Sequence, residues 1–176
     1  MPQPELRNKL LLFIGIFLML VFASWRIYQA RILSFTRVYP TEVSQESKVA
    51  RVVIPSLKIY LPVEGGKIDD GVWSVSQRGA SHLVLSKNPG DGGNIVVYGH
   101  NKRTIFGPIL WVKKGEKITL IDKDDKEFNY QVVETKTVSP DQIEYVLPKN
   151  EEILTLYTCT GLLDLKRFVV VAKRVI

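Results

Sequence analysis

The sequence predicts an all-β domain, an eight-stranded closed or nearly closed barrel with short helical pieces, preceded by one N-terminal transmembrane helix. Three observations lead there. From about residue 50 onward the chain is a succession of short β-branched and aromatic runs separated by turn signals. About eight such runs follow one another, and closing them into a barrel leaves few unpaired edges. Ahead of them, residues 10–23 form an uninterrupted apolar run between basic and aromatic flanks.

That apolar run lies between Arg7 and Lys9 on one side and Trp25, Arg26 and Tyr28 on the other. As a helix, residues 10–25 cover roughly 24 Å, slightly less than the roughly 30 Å of a hydrocarbon core. Snorkelling of Arg26 and the interfacial preference of Trp25 and Tyr28 make up the difference. A cleaved signal peptide is the competing reading, because Val21-Phe22-Ala23 before Ser24 is a passable cleavage site. The anchor is preferred because aromatic and basic residues continue the helix past the run. Either reading exports the rest of the chain. The expected organisation is a signal anchor at 1–28, a polar extracellular linker around Pro40 at 29–49, and a folded domain at 50–176. This places a single-pass protein in the cell membrane with its domain on the outer face.

The strands are expected at 52–54, 59–63, 82–85, 95–98, 118–121, 128–133, 153–158 and 168–175, each rich in Val, Ile, Leu, Tyr or Thr. Pro89-Gly90-Asp91-Gly92-Gly93, Lys113-Lys114-Gly115 and Asp122-Lys123-Asp124-Asp125 read as turns. Asp69-Asp70-Gly71 reads as a solvated turn, and short helical pieces fit only at 105–111 and 140–145.

The 176 residues carry a net charge of +6. Their Lys and Arg residues are scattered and form no aromatic-basic cluster, which excludes nucleic acid as a partner and reads as a solubilising surface. A single cysteine rules out an intramolecular disulfide, and no Cys and His spacing suits structural zinc. A lone cysteine is then either a small buried hydrophobe or a nucleophile.

Cys159 ends the 153–158 run and Arg167 opens the 168–175 run. If those strands pair antiparallel, the two side chains meet at one rim, because neighbouring strands lie about 4.8 Å apart. A thiolate attacking a carbonyl creates an oxyanion that a guanidinium can stabilise. His100 ends the 95–98 run, with Gly99 letting the backbone turn. Its imidazole suits protonation of a departing amine and deprotonation of an incoming one. Singly, the three residues fit a buried thiol, a surface charge and a turn. Together, each at a strand end of an exported domain, they point to catalysis.

The stretch Gly93-Asn94-Ile95-Val96-Val97-Tyr98-Gly99-His100 resembles the His motif of sortases, and Leu154-Thr155-Leu156-Tyr157-Thr158-Cys159 resembles their cysteine strand. Lys166-Arg167-Phe168-Val169-Val170 resembles the segment carrying their essential arginine, and the likeness runs from about Val52 onward. The resemblance implies a sortase-like barrel that cleaves a Leu-Pro-x-Thr-Gly-like sorting signal between Thr and Gly through a Cys159 thioester. The partners it implies are surface proteins bearing that signal and an amine acceptor from a peptidoglycan precursor or a pilin. By analogy Thr158 contacts substrate or oxyanion. Asn101-Lys102-Arg103-Thr104 is basic where some sortases bind calcium, so no metal and no cofactor is expected. Neither a lid segment nor a long apolar tail of the pilus-building kind is evident, and the chain is most similar to the class D or class E group. His82 has no place in that mechanism and is expected to be structural. The rival readings are a membrane-anchored cysteine protease, which differs only in what resolves the thioester, and a non-catalytic β-barrel binding module. An L,D-transpeptidase is disfavoured because Tyr157-Thr158-Cys159-Thr160 lacks that family's Ser-His-Gly-Cys arrangement.

Overall fold

A computed structural model of the chain describes residues 4–31, 33–35, 46–69 and 71–175. It divides into two compact units, Met1–Ile32 and Leu33–Ile176. The first is a helix, α1 (Pro4–Arg31). Within it Asn8–Tyr28, 21 residues of mean hydropathy 2.3, is long and apolar enough to cross a membrane. Leu10, Phe13, Phe17 and Phe22 are all exposed around its girth, an arrangement that water disfavours and lipid does not.

The second unit is built on strands β1 (Val49–Ile54), β2 (Ile59–Gly66), β3 (Ile68–Asp69), β4 (Val72–Trp73), β5 (Ala80–Leu83), β6 (Asn94–Tyr98), β7 (Lys117–Asp122), β8 (Glu127–Val138), β9 (Ile153–Thr160) and β10 (Lys166–Arg174). Eight of them close a barrel in the order β1-β2-β5-β6-β9-β10-β8-β7. Neighbours pair antiparallel except β2 with β5 and β6 with β9, which are parallel. All eight expected runs are barrel strands. The one expected at 82–85 lies two residues earlier, because Ser86 donates from both its N–H and its hydroxyl to the Leu83 carbonyl and turns the chain there. The Asp69-Asp70-Gly71 turn joins a two-stranded β3–β4 hairpin that the sequence reading missed; Asp70 itself lies outside the described residues. Short 3-10 turns occupy Gly107–Trp111 and Ile143–Tyr145, inside the two stretches expected to hold them, and also Pro55–Leu57 and Leu162–Asp164.

Inside the barrel, Val52, Ile95, Val97, Leu120, Leu154, Leu156 and Val170 form the core. β6 and most of β9 are buried at every residue, not at alternate ones. Their outward side chains therefore need a cover, and an aromatic cluster supplies it. Tyr98 stacks on Tyr157 at 5.3 Å, with Trp73 edge-on to Tyr98 at 5.3 Å and Phe35 edge-on to Tyr157 at 5.0 Å. Leu33, Ser34 and Phe35 thus lie buried on the domain, although they fall within the stretch expected as a linker. Of the remainder of that stretch, residues 36–45 lie outside the described residues, and Val49 already belongs to β1.

His82 is buried in β5 and serves the fold. Its Nε2 faces the Lys87 carbonyl at 3.0 Å, which can only accept, so Nε2 carries the proton and Nδ1 accepts from the Ser47 hydroxyl at 2.9 Å. Burial lowers its pKa from 6.5 to about 4. Because the folded state resists protonation, stability is complete above pH 6.5 and declines as pH falls towards 4. The loss expected over that window is about 3 kcal/mol. Thermal melts between pH 4 and 8 should show this slope in the wild-type chain and a flatter one in His82→Gln.

Candidate active site

Antiparallel pairing of β9 with β10 sets Arg167 directly opposite Cys159. On the other side of β9, parallel pairing with β6 runs to Tyr98 opposite Tyr157, and the Gly99 N–H extends it by donating to the Tyr157 carbonyl at 3.2 Å. Continued two residues, that register brings His100 level with Cys159. Three adjacent strand ends therefore carry the three residues singled out from the sequence. Side chains alternate across a strand, so Cys159 and Tyr157 share the outer face while Thr158 points inward with Leu156.

Each residue is held by its neighbours. After His100 the chain turns sharply, with the N–H groups of Lys102 and Phe106 both donating to the His100 carbonyl. A Cβ at Gly99 would come 3.0 Å from Ile105 and 3.3 Å from the Phe106 ring, so both side chains would have to shift to admit one. The Gln77 side-chain amide nitrogen, a donor only, stands 3.2 Å from His100 Nε2 and leaves that atom as the acceptor. Gln77 was not legible as a site residue in the sequence.

Arg167 is only 3% exposed and is surrounded by carbonyls. Nη1 donates to the carbonyls of Asp164 and Lys166, each at 3.1 Å, and Nη2 donates to the Ser34 carbonyl at 2.8 Å. Its Nε is buried with no hydrogen-bond partner among the described residues. The Cys159–Arg167 connection reaches this geometry through left-handed backbone at Leu163 (φ 52) and Asp164 (φ 57). Each such residue costs roughly 1–2 kcal/mol, a local strain retained at this site.

Cys159 is 2% exposed, and its thiol is pushed up to about 12, first by burial and then by the Asp164 carboxylate, with Arg167 opposing. His100 is half-buried and its pKa is lowered, mainly by burial and by Lys102, with Asp164 pulling the other way. In this closed arrangement the thiol and the neutral imidazole dominate at neutral pH, so the thiolate is a minor species. Alkylation of Cys159 by iodoacetamide should accordingly keep rising by about tenfold per pH unit through pH 9, without a neutral plateau. A plateau reached below pH 8 would contradict that electrostatic picture.

Thr158, for which the resemblance implies a substrate or oxyanion contact, lies on the inner side of β9. It is fully buried, and its hydroxyl donates to the Gly99 carbonyl at 2.8 Å, tying the Cys159 strand to the His100 strand. Thr158→Val keeps the volume and removes that donor, so it should cost about 1–3 kcal/mol of stability. It should also lower kcat several-fold with little change in KM, measured with a fluorogenic peptide. Among the described residues, no three His, Cys, Asp or Glu side chains gather as metal ligands.

The family model described as the sortase domain matches residues 52–175. Sortase A of Bacillus anthracis is 32% identical over 132 residues, covering 73% of this chain and 60% of that protein. Sortase D of Bacillus subtilis (strain 168) is 32% identical over 143 residues, 78% of this chain and 68% of its own length. That second relative accords with the resemblance to class D. The crystal structure of Listeria monocytogenes sortase A superposes with a TM-score of 0.61 at 29% identity, covering 74% of this chain and 89% of that one.

Proposed function

Because the chain belongs to the sortase family, we propose that it is an extracytoplasmic cysteine transpeptidase that uses Cys159, His100 and Arg167 on a Leu-Pro-x-Thr-Gly-like sorting signal. Transfer of the Cys159 thiol proton to His100 gives the minor thiolate–imidazolium pair; Sγ then attacks the Thr carbonyl, and the C–S bond forms as the carbonyl π pair moves to oxygen. Collapse of that oxyanion breaks the Thr–Gly C–N bond, and His100 gives the departing glycine amine its proton. An amine from a peptidoglycan precursor or a pilin then attacks the thioester, loses its proton to His100, and releases the Cys159 thiolate. Arg167 supplies the charge-matched donors for both oxyanions. The observation that carries this reading is the placement of Arg167 opposite Cys159 on β10, with His100 closing the next strand of the same sheet. Helix α1, through residues 10–25, would hold the enzyme in the cell membrane with the barrel outside.

The test is mass spectrometry of the full chain in detergent micelles with a Leu-Pro-x-Thr-Gly peptide, with and without an added amine. A Thr-amine ligation product that needs Cys159 is the expected result. Intact peptide in every condition would favour the binding-module reading, and free Thr acid that added amine does not divert would favour the protease.

A further inference from the structure

Charge that is scattered along the sequence gathers at one end of the folded barrel. β6 and the parallel β9 end there, β7 and β10 begin there, and Pro55–Leu57 turns β1 into β2 there. Three connections are confined to that end, residues 55–58, 99–116 and 161–165. They hold Lys58, Lys102, Arg103, Lys113 and Lys114 against Glu116 and Asp164, five cations less two carboxylates, a surplus of three. The connections confined to the opposite end, residues 84–93 and 123–126, hold Lys87, Lys123 and Lys126 against Asp91, Asp124 and Asp125, which leaves no surplus. The ion pairs Arg51–Asp125 and Lys123–Glu46 also lie at that opposite end. Among the described residues, none of the five cations of the first end has an ion-pair partner.

The same end exposes apolar surface. Trp111 is 69% exposed at the close of its 3-10 turn, and Leu162 and Leu165 are 82% and 55% exposed in the connection that follows β9. These pieces form one surface. Pro55–Leu57 and Gly107–Trp111 lie side by side, the Ser56 hydroxyl donates to Glu116 at 2.6 Å, and β9 adjoins both Gly107–Trp111 and Leu162–Asp164. An exposed indole and exposed leucines among unneutralised cations suit a lipid headgroup layer, where the indole takes the interface, the leucines reach below it and the cations meet phosphates. A bilayer is at hand, because Asn8–Tyr28 is long and apolar enough to cross one. Only four residues separate Tyr28 from Leu33, which is buried on the barrel and accepts from the Tyr157 hydroxyl. Tyr157 lies two residues before Cys159, so the chain enters the domain near this end.

We propose that this end of the barrel docks on the anionic surface of the bilayer that α1 crosses, with Trp111, Leu162 and Leu165 entering the headgroup layer and the five cations meeting its phosphates. The proposal rests on the membrane reading of α1 and not on the catalytic reading of Cys159. Docking by the end does not block an approach to Cys159, which lies on the outer face of β9 at the barrel's side. The site then stands at headgroup height, which suits substrates and acceptor amines that are themselves held in the membrane.

The experiment places full-length chains singly in lipid nanodiscs, so that no second copy is present. A nitrobenzoxadiazole label is carried on Leu162→Cys or, as the control at the opposite end, on Asp124→Cys, each in a Cys159→Ala background so that only the introduced thiol reacts. In nanodiscs of about one-third phosphatidylglycerol in phosphatidylcholine, the Leu162 label should shift its emission to the blue. Headgroup-level spin-labelled lipid should quench it about threefold more than the Asp124 label. Phosphatidylcholine alone, raised salt, or Lys113→Gln with Lys114→Gln should each remove about half of that difference or more. Trp111→Ala should do the same, and both sets of substitutions are at exposed positions, so melts should be unchanged. Equal quenching of the two labels in anionic nanodiscs, or quenching indifferent to lipid charge and to the lysines, would overturn the proposal. So would a blue shift that appears only on adding soluble Leu-Pro-x-Thr-Gly peptide, which would make the leucines a substrate contact. Alkaline carbonate extraction of vesicles tests α1 separately. A chain that carbonate strips off would remove anchor and docking together, whereas a resistant chain with a water-exposed Leu162 label would keep the anchor and overturn docking alone.

Discussion

Cys159→Ala is expected to abolish both ligation and hydrolysis of the sorting peptide, and to leave no peptide-protein adduct by intact-mass analysis. The sequence holds one cysteine, so no second thiol can take over the nucleophile's part. With Sγ gone, His100 and Arg167 retain their places, because the Gln77 amide faces His100 Nε2 and the carbonyls of Ser34, Asp164 and Lys166 hold the Arg167 guanidinium. What remains is a binding face without the covalent step that divides amide cleavage into two easier ones. The fold should barely register the change. Losing one small buried sulfur costs on the order of 1 kcal/mol, or about 2–4 °C in Tm for a chain of this size. Cys159→Ser should be nearly as inactive, since a hydroxyl ionises even less readily than a thiol already pushed up to about 12 by burial. Turnover by Cys159→Ala above about one thousandth of wild type, in a sample whose melt is unchanged, would remove Cys159 from the mechanism.

Much of this site was legible because its geometry is local to strand ends. Cys159 and Arg167 close and open consecutive β runs, and antiparallel pairing of such runs forces their ends together. The seven residues between them, from Thr160 to Lys166, are too few for any other connection to the same sheet. His100 was legible from its place at the end of a β run after Gly99, although Gly99 serves by admitting Ile105 and Phe106 close to the backbone and not by a left-handed turn. The inward direction of Thr158 was legible in the sequence as well. Neighbouring strand residues face opposite sides, so a Cys159 open to substrate obliges Thr158 to face the barrel interior.

The cover formed by Leu33, Ser34 and Phe35 was harder to see. Leu33, Ser34 and Phe35 sit in a polar, mixed stretch, and their partners Tyr157 and Arg167 lie more than 120 residues away. Yet residues 95–98, Ile-Val-Val-Tyr, did carry a signal, because they do not alternate apolar with polar. An antiparallel strand with one wet face alternates, whereas a strand that does not alternate is covered on both sides. Something therefore had to lie over Tyr98 and Tyr157. No periodicity identifies what covers a face, because covering segments need only two or three apolar side chains. Gln77 and Asp164 were missed for a related reason. Their influence on His100 and Cys159 acts across loops whose path only the folded chain defines, although Asp164 is the sole acidic residue between Cys159 and Arg167.

Arg167→Ala is expected to lower kcat/KM by about 10²–10³, equivalent to about 3–4 kcal/mol of transition-state stabilisation, with most of the loss in kcat. The reason is where the charge sits. Arg167 is buried among backbone carbonyls, with no carboxylate hydrogen-bonded to it among the described residues, so its cation is left to act on negative charge that develops beside it. In a site that excludes water, an oxyanion formed on the thioester carbon meets that cation largely unscreened. The buried Nε, which has no hydrogen-bond partner among the described residues, is a donor already in place for that oxygen. Arg167→Lys should recover less than a tenth of the lost rate. An ammonium cannot hold the Asp164 and Lys166 carbonyls with one nitrogen while presenting two others in a fixed plane, and its shorter reach leaves one set of contacts unmade. The two variants also separate catalysis from folding. Both vacate the same carbonyls, so a purely structural arginine would show matched losses of Tm and of activity, and Lys would rescue both in part. If Arg167 acts on the oxyanion, Lys restores stability while kcat stays low. Steady-state kinetics beside thermal melts decides the matter, and near-normal kcat/KM in a folded Arg167→Ala chain would take the guanidinium out of the mechanism.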